Sequence, residues 1–225
     1  MSKLGQLVRW LCGFSCLLVS IKMAPLVAQT ATQQTQAQIE LLPSDGEVVN
    51  PVDPNDPSKP YPGDDVDPGN TGTQSRGDLT IDFISNLKFE ATNIVNGPVT
   101  VTAKNKLAMV QITDRRASAH GWTLQVTPSV PRSGQDTLDT TIELGAVKIK
   151  PASTNISQAP QLVSSRLQAG QVNNVLEAKS KAGIGTWLLV LNQGTPATQL
   201  MIHDTKLTAG DYQGTLTWQL TDAPS

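Results

Sequence analysis

From Asp78 onward the chain repeats one pattern, and that pattern restricts the fold more than any other feature. Short runs of alternating apolar and polar residues are separated by turn residues: LTIDFI (79–84), VTVTA (99–103), MVQIT (109–113), GWTLQVT (121–127), QLMIH (199–203) and DYQGTLTWQL (211–220). Successive side chains of a strand point to opposite faces, so a period of two buries one face and wets the other. TIELGAVKIK (141–150) reads as a longer strand with Gly145 as a bulge. The unbroken apolar run WLLVLN (187–192) reads as a central strand buried on both faces. Helical patterning is confined to one turn over Leu176–Lys181. Many short strands with frequent turn signals, such as Asn96-Gly97-Pro98, predict an all-β fold. The expected architecture is an antiparallel β-sandwich, Ig-like, with little helix.

The first seventy residues do not share the pattern. Lys3 and Arg9 flank the apolar run LCGFSCLLVSI (11–21), and Ala24, Val27 and Ala28 supply small residues after it. That run is shorter than the roughly 20 residues a spanning helix needs. Residues 1–28 therefore read as a secretory signal peptide cut after Ala28, leaving a mature chain without a transmembrane segment. Cys12 and Cys16 lie inside the run, too early for a lipidation site, and leave with it. The mature chain then has no disulfide and no thiolate chemistry.

Residues 29–70 are expected to be a disordered linker, preceding a folded domain at 71–225. QTATQQTQAQ (29–38) is polar and low in complexity, and residues 43–70 hold seven prolines with repeated Asp-Pro steps. Proline fixes φ and removes a donor, so a semi-extended, solvated spacer is predicted. Its aspartates lack the EF-hand spacing and the glutamate at the twelfth position, so calcium binding is not expected. Glu40–Asn70 carries eight acidic residues against Lys59, whereas Thr71 onward carries 11 acidic and 13 basic residues. This mild basic excess is too weak for nucleic-acid binding and is compatible with an anionic cell wall.

No constellation points to catalysis. His120 and His203 alone cannot make a tetrahedral metal site, and no Gly-x-Ser-x-Gly elbow is present. Asp136, Asp139 and Glu143 fall where turn and strand-edge solvation explains them. Neither metal nor cofactor is expected. Arg76-Gly77-Asp78 adjoins the first strand and reads as coincidence. KSKAGIGTW (179–187) joins two lysines to a Gly-x-Gly loop, and Arg115-Arg116 makes a second basic spot. Both could meet an anionic wall, although a plain hairpin loop is the simpler reading of the first.

Trp-x-Leu stands in two alternating strands, as Trp122/Leu124 and Trp218/Leu220, besides Trp187/Leu189 in the unbroken apolar run. Tyr212, Leu216, Trp218 and Leu220 are in phase on one face, with Thr215, Thr217, Gln219 and Thr221 on the other. Each Trp is either a large core residue or an indole face that stacks on a sugar ring. Periodicity fits both.

The pair of motifs resembles that of WxL-domain surface proteins of low-GC Gram-positive bacteria. The distal motif, Tyr-x-x-x-Leu-Thr-Trp-x-Leu-x-x-x-Pro, is matched at Tyr212, Leu216, Thr217, Trp218, Leu220 and Pro224. The proximal motif follows a Val-x-Asp-Arg stretch in the family, here with Ile112 in the place of Val in VQITDRRASAHGWTLQV, and GNTGTQSRGDLTIDFISNLKFE (69–90) also has the look of the family. The resemblance covers about residues 70–225 and the signal. It implies a non-catalytic domain that attaches to peptidoglycan without a covalent bond. It also implies association with membrane-anchored partner proteins and other WxL proteins, in a multi-protein surface complex. Trp122, Leu124, Tyr212, Leu216, Trp218 and Leu220 become the wall-binding candidates, with at least one Trp expected to be partly core. The sequence contains no Leu-Pro-x-Thr-Gly sorting motif, which fits non-covalent retention. The alternative is a secreted module for glycans or host ligands, only loosely held at the surface.

Overall fold

The computed structural model describes residues 46–222 except Val95 and Ala117; the expected signal peptide, residues 29–45 and Pro224 lie outside the described residues. The strands are β1 (Leu79–Ile84), β2 (Val99–Thr102), β3 (Met109–Asp114), β4 (Trp122–Pro128), β5 (Arg132–Ser133), β6 (Asp136–Thr137) and β7 (Thr140–Glu143). They continue as β8 (Lys148–Pro151), β9 (Gln161–Leu162), β10 (Arg166–Gln168), β11 (Asn173–Ala178), β12 (Gly185–Val190), β13 (Gln199–Ile202) and β14 (Leu216–Thr221). The all-β, antiparallel prediction holds. The strands form three four-stranded sheets, ordered β1-β3-β12-β8, β10-β7-β13-β2 and β14-β4-β11-β9, with β5-β6 as a short hairpin. No helix occurs among the described residues.

The alternating patterns place one face of every sheet in a common core. Ile81, Ile84, Val110, Ile112 and Leu189 come from the first sheet, and Ile142, Leu167 and Leu200 from the second. Trp122, Leu124, Val126, Leu176, Leu216, Trp218 and Leu220 come from the third. The run 187–192 supplies β12, an inner strand with both neighbours paired, as its unbroken apolarity predicts.

Three local expectations change. Leu176–Lys181 is not a helical turn, because its first half belongs to β11, where Leu176 and Ala178 lie opposite Leu124 and Trp122. Sheet pairing overrides a weak helical pattern there. TIELGAVKIK is not one bulged strand. It splits at Gly145 into β7 and β8 in different sheets, and a Cβ on Gly145 would collide with the backbone of Ala197. The bulge lies instead in LTIDFI. Ile81 opposes Ile112 and Phe83 opposes Gln111, so Asp82 is the extra residue. The bulge explains why the alternation of that segment ends in two adjacent apolar residues, Phe83 and Ile84, which pack in different clusters.

The expectation of a solvated spacer does not hold from residue 46 onward. Residues 46–70 form a strap over the outer face of the first sheet. Phe83, Met109, Leu188 and Val190 make a second apolar cluster on that face, and Val52 and Tyr61 pack on it. The Tyr61 and Phe83 ring centroids are 4.7 Å apart, and the Tyr61 hydroxyl donates to the Leu107 carbonyl at 2.8 Å. Val52 N–H donates to Gln111 Oε1 at 3.0 Å, and Gln111 Nε2 donates to the Asn50 carbonyl at 3.1 Å. Asp64 Oδ2 accepts the backbone N–H groups of Lys106 and Leu107, both at 2.9 Å. A proline-rich segment can do this because it docks by side chains and single bonds and needs no ladder.

Beneath the strap lies a polar network centred on Asp82. Its carboxyl accepts from Thr80 Oγ1 and Thr113 Oγ1, each at 2.6 Å, and from Gln111 Nε2 at 3.2 Å. Burial raises the Asp82 carboxyl above the usual carboxylate range, against these three hydrogen bonds. Burial also pushes the Tyr61 phenol up to about 12, with Asp64, Asp67 and Asp53 adding to the effect. The folded phenol holds its proton more tightly than an unfolded one, whose pKa is near 10. Its contribution is therefore complete below about pH 10 and lost as pH rises toward 12. Thermal melts across this range are expected to show an alkaline fall in stability that is smaller in Tyr61→Phe. An identical fall in both proteins would refute the assignment to Tyr61.

Candidate functional site

The two Trp-x-Leu strands are direct neighbours. β14 pairs antiparallel with β4, with Trp218 opposite Val126 and Leu220 opposite Leu124. Opposed residues share a face, so both motifs point inward. Their positions in the sheet nevertheless give them different surroundings.

The proximal motif is core. Trp122, Leu124 and Val126 are each 0% exposed. The Trp122 indole N–H donates to the Gly183 carbonyl at 3.1 Å. Gly183 has φ of +70°, and a Cβ there would lie 2.7 Å from Trp122 Nε1 and 2.5 Å from Ala178 Cβ. The Gly-x-Gly loop of residues 179–187 thus covers an indole. Packing accounts for Gly183, and an anion cradle does not.

The Asp-Arg stretch ahead of Trp122 is also internal. Asp114 is wholly buried, and Arg116 Nε and Nη2 donate to its two oxygens, each at 2.9 Å. Arg116 Nη2 also donates to the Gly121 carbonyl at 2.8 Å, and Nη1 pairs with Asp222. One guanidinium therefore ties together the end of β3, the start of β4 and the end of β14. Arg115 donates to the carbonyls of Glu47 and Gly77, at 2.8 and 2.9 Å. Both arginines are engaged by protein groups, so the second basic spot is not free to meet a wall.

The distal motif opens on a cleft. Leu216, Trp218 and Leu220 are half-buried against the core. Tyr212 precedes β14 rather than extending it, and its hydroxyl donates to the Thr208 carbonyl at 3.1 Å. Partial desolvation raises the Tyr212 phenol, helped by Asp136 and Asp204. Tyr212, Leu216 and Trp218 line a cleft of about 1000 Å³, which Ile84, Leu87 and Phe89 also line. Ile142, Leu200 and Ile202 add apolar surface from the second sheet, and Lys88, Lys104 and Gln213 add polar groups. The indole nitrogen of Trp218 is shielded from solvent and has no hydrogen-bond partner among the described residues.

Of the six motif residues, the structure brings Tyr212, Leu216 and Trp218 together in the cleft. Trp122 and Leu124 are placed in the core, and Leu220 packs beside Leu124. Ile84, Leu87 and Phe89 carried no sequence signal for this role. Their segment is held by the strap, because the Asp67 carboxylate accepts from Asn86 N–H at 3.0 Å and from Asn86 Nδ2 at 2.7 Å. Asn105 adds a second tie, accepting from Lys88 N–H at 2.9 Å. Among the described residues no cluster of metal-ligating side chains occurs, and no helix is long and apolar enough to cross a membrane.

The strand pair thus buries one Trp-x-Leu and opens the other on a cleft. Residues 28–224 match the family described as WxL domain surface cell wall-binding, and the chain belongs to that family. The match spans the strap as well as the sheets. Membership places the protein at the cell surface, associated with the wall through a binding domain. No curated protein and no solved structure matches the chain.

Proposed function

We propose that this protein is a non-catalytic surface subunit that binds peptidoglycan without a covalent bond, through the cleft formed by Tyr212, Leu216 and Trp218. It is exported by the signal peptide of residues 1–28. It works within a complex that includes membrane-anchored WxL-interacting proteins and other WxL proteins. The observation that carries the proposal is the split between the two tryptophans. Trp122 has its N–H satisfied inside the core, whereas Trp218 lines a cleft with its N–H unpaired. An indole so placed offers an apolar face to the C–H groups of a sugar. Trp122 and Leu124 serve by holding β4, and hence β14, in place.

Co-sedimentation with purified peptidoglycan sacculi tests this. Wild type is expected to pellet, and Trp218→Ala to bind at least tenfold more weakly while keeping its circular dichroism spectrum. Equal pelleting of both proteins would exclude the cleft as the wall site.

A further inference from the structure

The free edge of a sheet is a row of unpaired N–H and C=O groups, and folded proteins defend it with charge, proline, bulges, short length or a cover. Among the described residues the four-stranded sheets have six edge strands, of which five are defended. β8 carries Lys148, Lys150 and Pro151, β9 has two residues, and β10 has three, including Arg166. β1 bulges at Asp82, where Thr73 N–H binds the Asp82 carbonyl at 2.8 Å. β2 is flanked by the 88–90 segment, with Glu90 N–H on the Thr102 carbonyl at 2.8 Å. Among the described residues no strand pairs with the outer edge of β14, LTWQLT, which has no charge, no proline and an unbroken register with β4.

The register also shows which groups face the open side. Ser129 N–H donates to the Thr215 carbonyl at 2.8 Å, so Thr215 turns its backbone toward β4. Backbone direction alternates along a strand, so Thr217, Gln219 and Thr221 do the same. Leu216, Trp218 and Leu220 therefore turn their N–H and C=O groups away from β4. The apolar positions of the distal motif are thus also its unpaired backbone positions.

We infer that β14 is a strand-addition site that takes an extended peptide segment of a partner protein, uncharged and apolar at every second residue. This rests on the reading of the chain as a subunit of a surface complex, not on the identity of the wall ligand. Alternating backbone donors and acceptors select a strand over a sugar or a lipid. β14 has no ionisable side chain, so an incoming strand matches it only if its own inward residues are uncharged; a charge beside Leu216 and Trp218 would be desolvated without a partner. A second copy is the competing occupant, because antiparallel pairing of β14 with itself about Trp218 sets Leu216 against Leu220, and the self-association arm of the test separates it from a partner segment.

The probe is a synthetic peptide of the β4 sequence, WTLQVTP, which pairs with β14 in the fold itself. It is titrated into the mature protein while amide hydrogen exchange is followed. Leu216, Trp218 and Leu220 are expected to gain at least tenfold protection, and Thr217, Gln219 and Thr221 to stay as they were. Thr217 and Gln219 are exposed, so Thr217→Lys/Gln219→Lys is expected to fold, to pellet with sacculi like wild type and to bind the peptide at least tenfold more weakly. Absence of protection at the three amides, or equal peptide binding by the double variant, would overturn the inference. Protection of the same amides by self-association without peptide would overturn it in favour of a second copy. Failure of wild type to pellet with sacculi would count against the wall ligand alone.

Discussion

A chain that begins at Thr71 is expected to lose its cooperative thermal transition, whereas one that retains the strap melts in a single step. Removing residues 46–70 uncovers Phe83, Met109, Leu188 and Val190, all fully buried in the intact protein. Each such side chain contributes about 1.5–3 kcal/mol by burial, an upper estimate because unfolded chains are partly compact. Gln111 also loses both of its strap partners, Val52 N–H and the Asn50 carbonyl, and the Lys106 and Leu107 amides lose Asp64. Unpaired polar groups at a formerly buried surface add about 1–3 kcal/mol each where water does not replace the partner. The sum is comparable to the 5–15 kcal/mol that stabilises an ordinary domain. Calorimetry of the two chains decides the matter. A sharp transition for the shorter chain, within a few degrees of the longer, would show that the strap is an accessory and not part of the fold.

The same segment shows where sequence reading stops. Prolines and Asp-Pro steps correctly excluded ladder structure over 46–70, but their pattern does not reveal whether scattered residues such as Val52 and Tyr61 find an apolar surface. The missing signal lay elsewhere. WLLVLN is apolar on both faces, so a second face needed a cover, and no other segment had been assigned to it. Strands with clean alternation were legible because period two assigns one face to the core, although β3 is buried on both faces. β11 was not, because NNVLEA owes its conformation to β4 beside it. The Trp-x-Leu motifs were legible as a pair, yet their division of labour was not. Alternation gives Trp122 and Trp218 the same inward direction, and only the inner position of β4 and the edge position of β14 separate them. The cleft wall at Ile84, Leu87 and Phe89 depends on ties from Asp67 and Asn105, residues distant in sequence, and was illegible for that reason.

Trp122→Ala is expected to cost about 3–5 kcal/mol of stability, the range for truncating a fully buried aromatic. Two terms combine: the cavity left among Leu124, Ala178 and Gly183, and a buried Gly183 carbonyl without its donor. Gly183→Ala attacks the same contact from the other side. Its methyl would meet the indole nitrogen and Ala178, at a backbone φ that disfavours a side chain, and a loss of about 1–3 kcal/mol is expected. If the loop is glycine-rich to seat the indole, the double variant will lose less than the sum of the single losses. The added methyl would then occupy space that the indole has vacated, and coupling of about 1 kcal/mol is expected. Urea denaturation of the four proteins measures it. Strict additivity would mean that Gly183 is glycine for its backbone conformation alone. Sacculus binding separates stability from recognition. At a temperature where both variants remain folded, Trp122→Ala should pellet like wild type, whereas Trp218→Ala should not, because only the distal tryptophan borders the cleft.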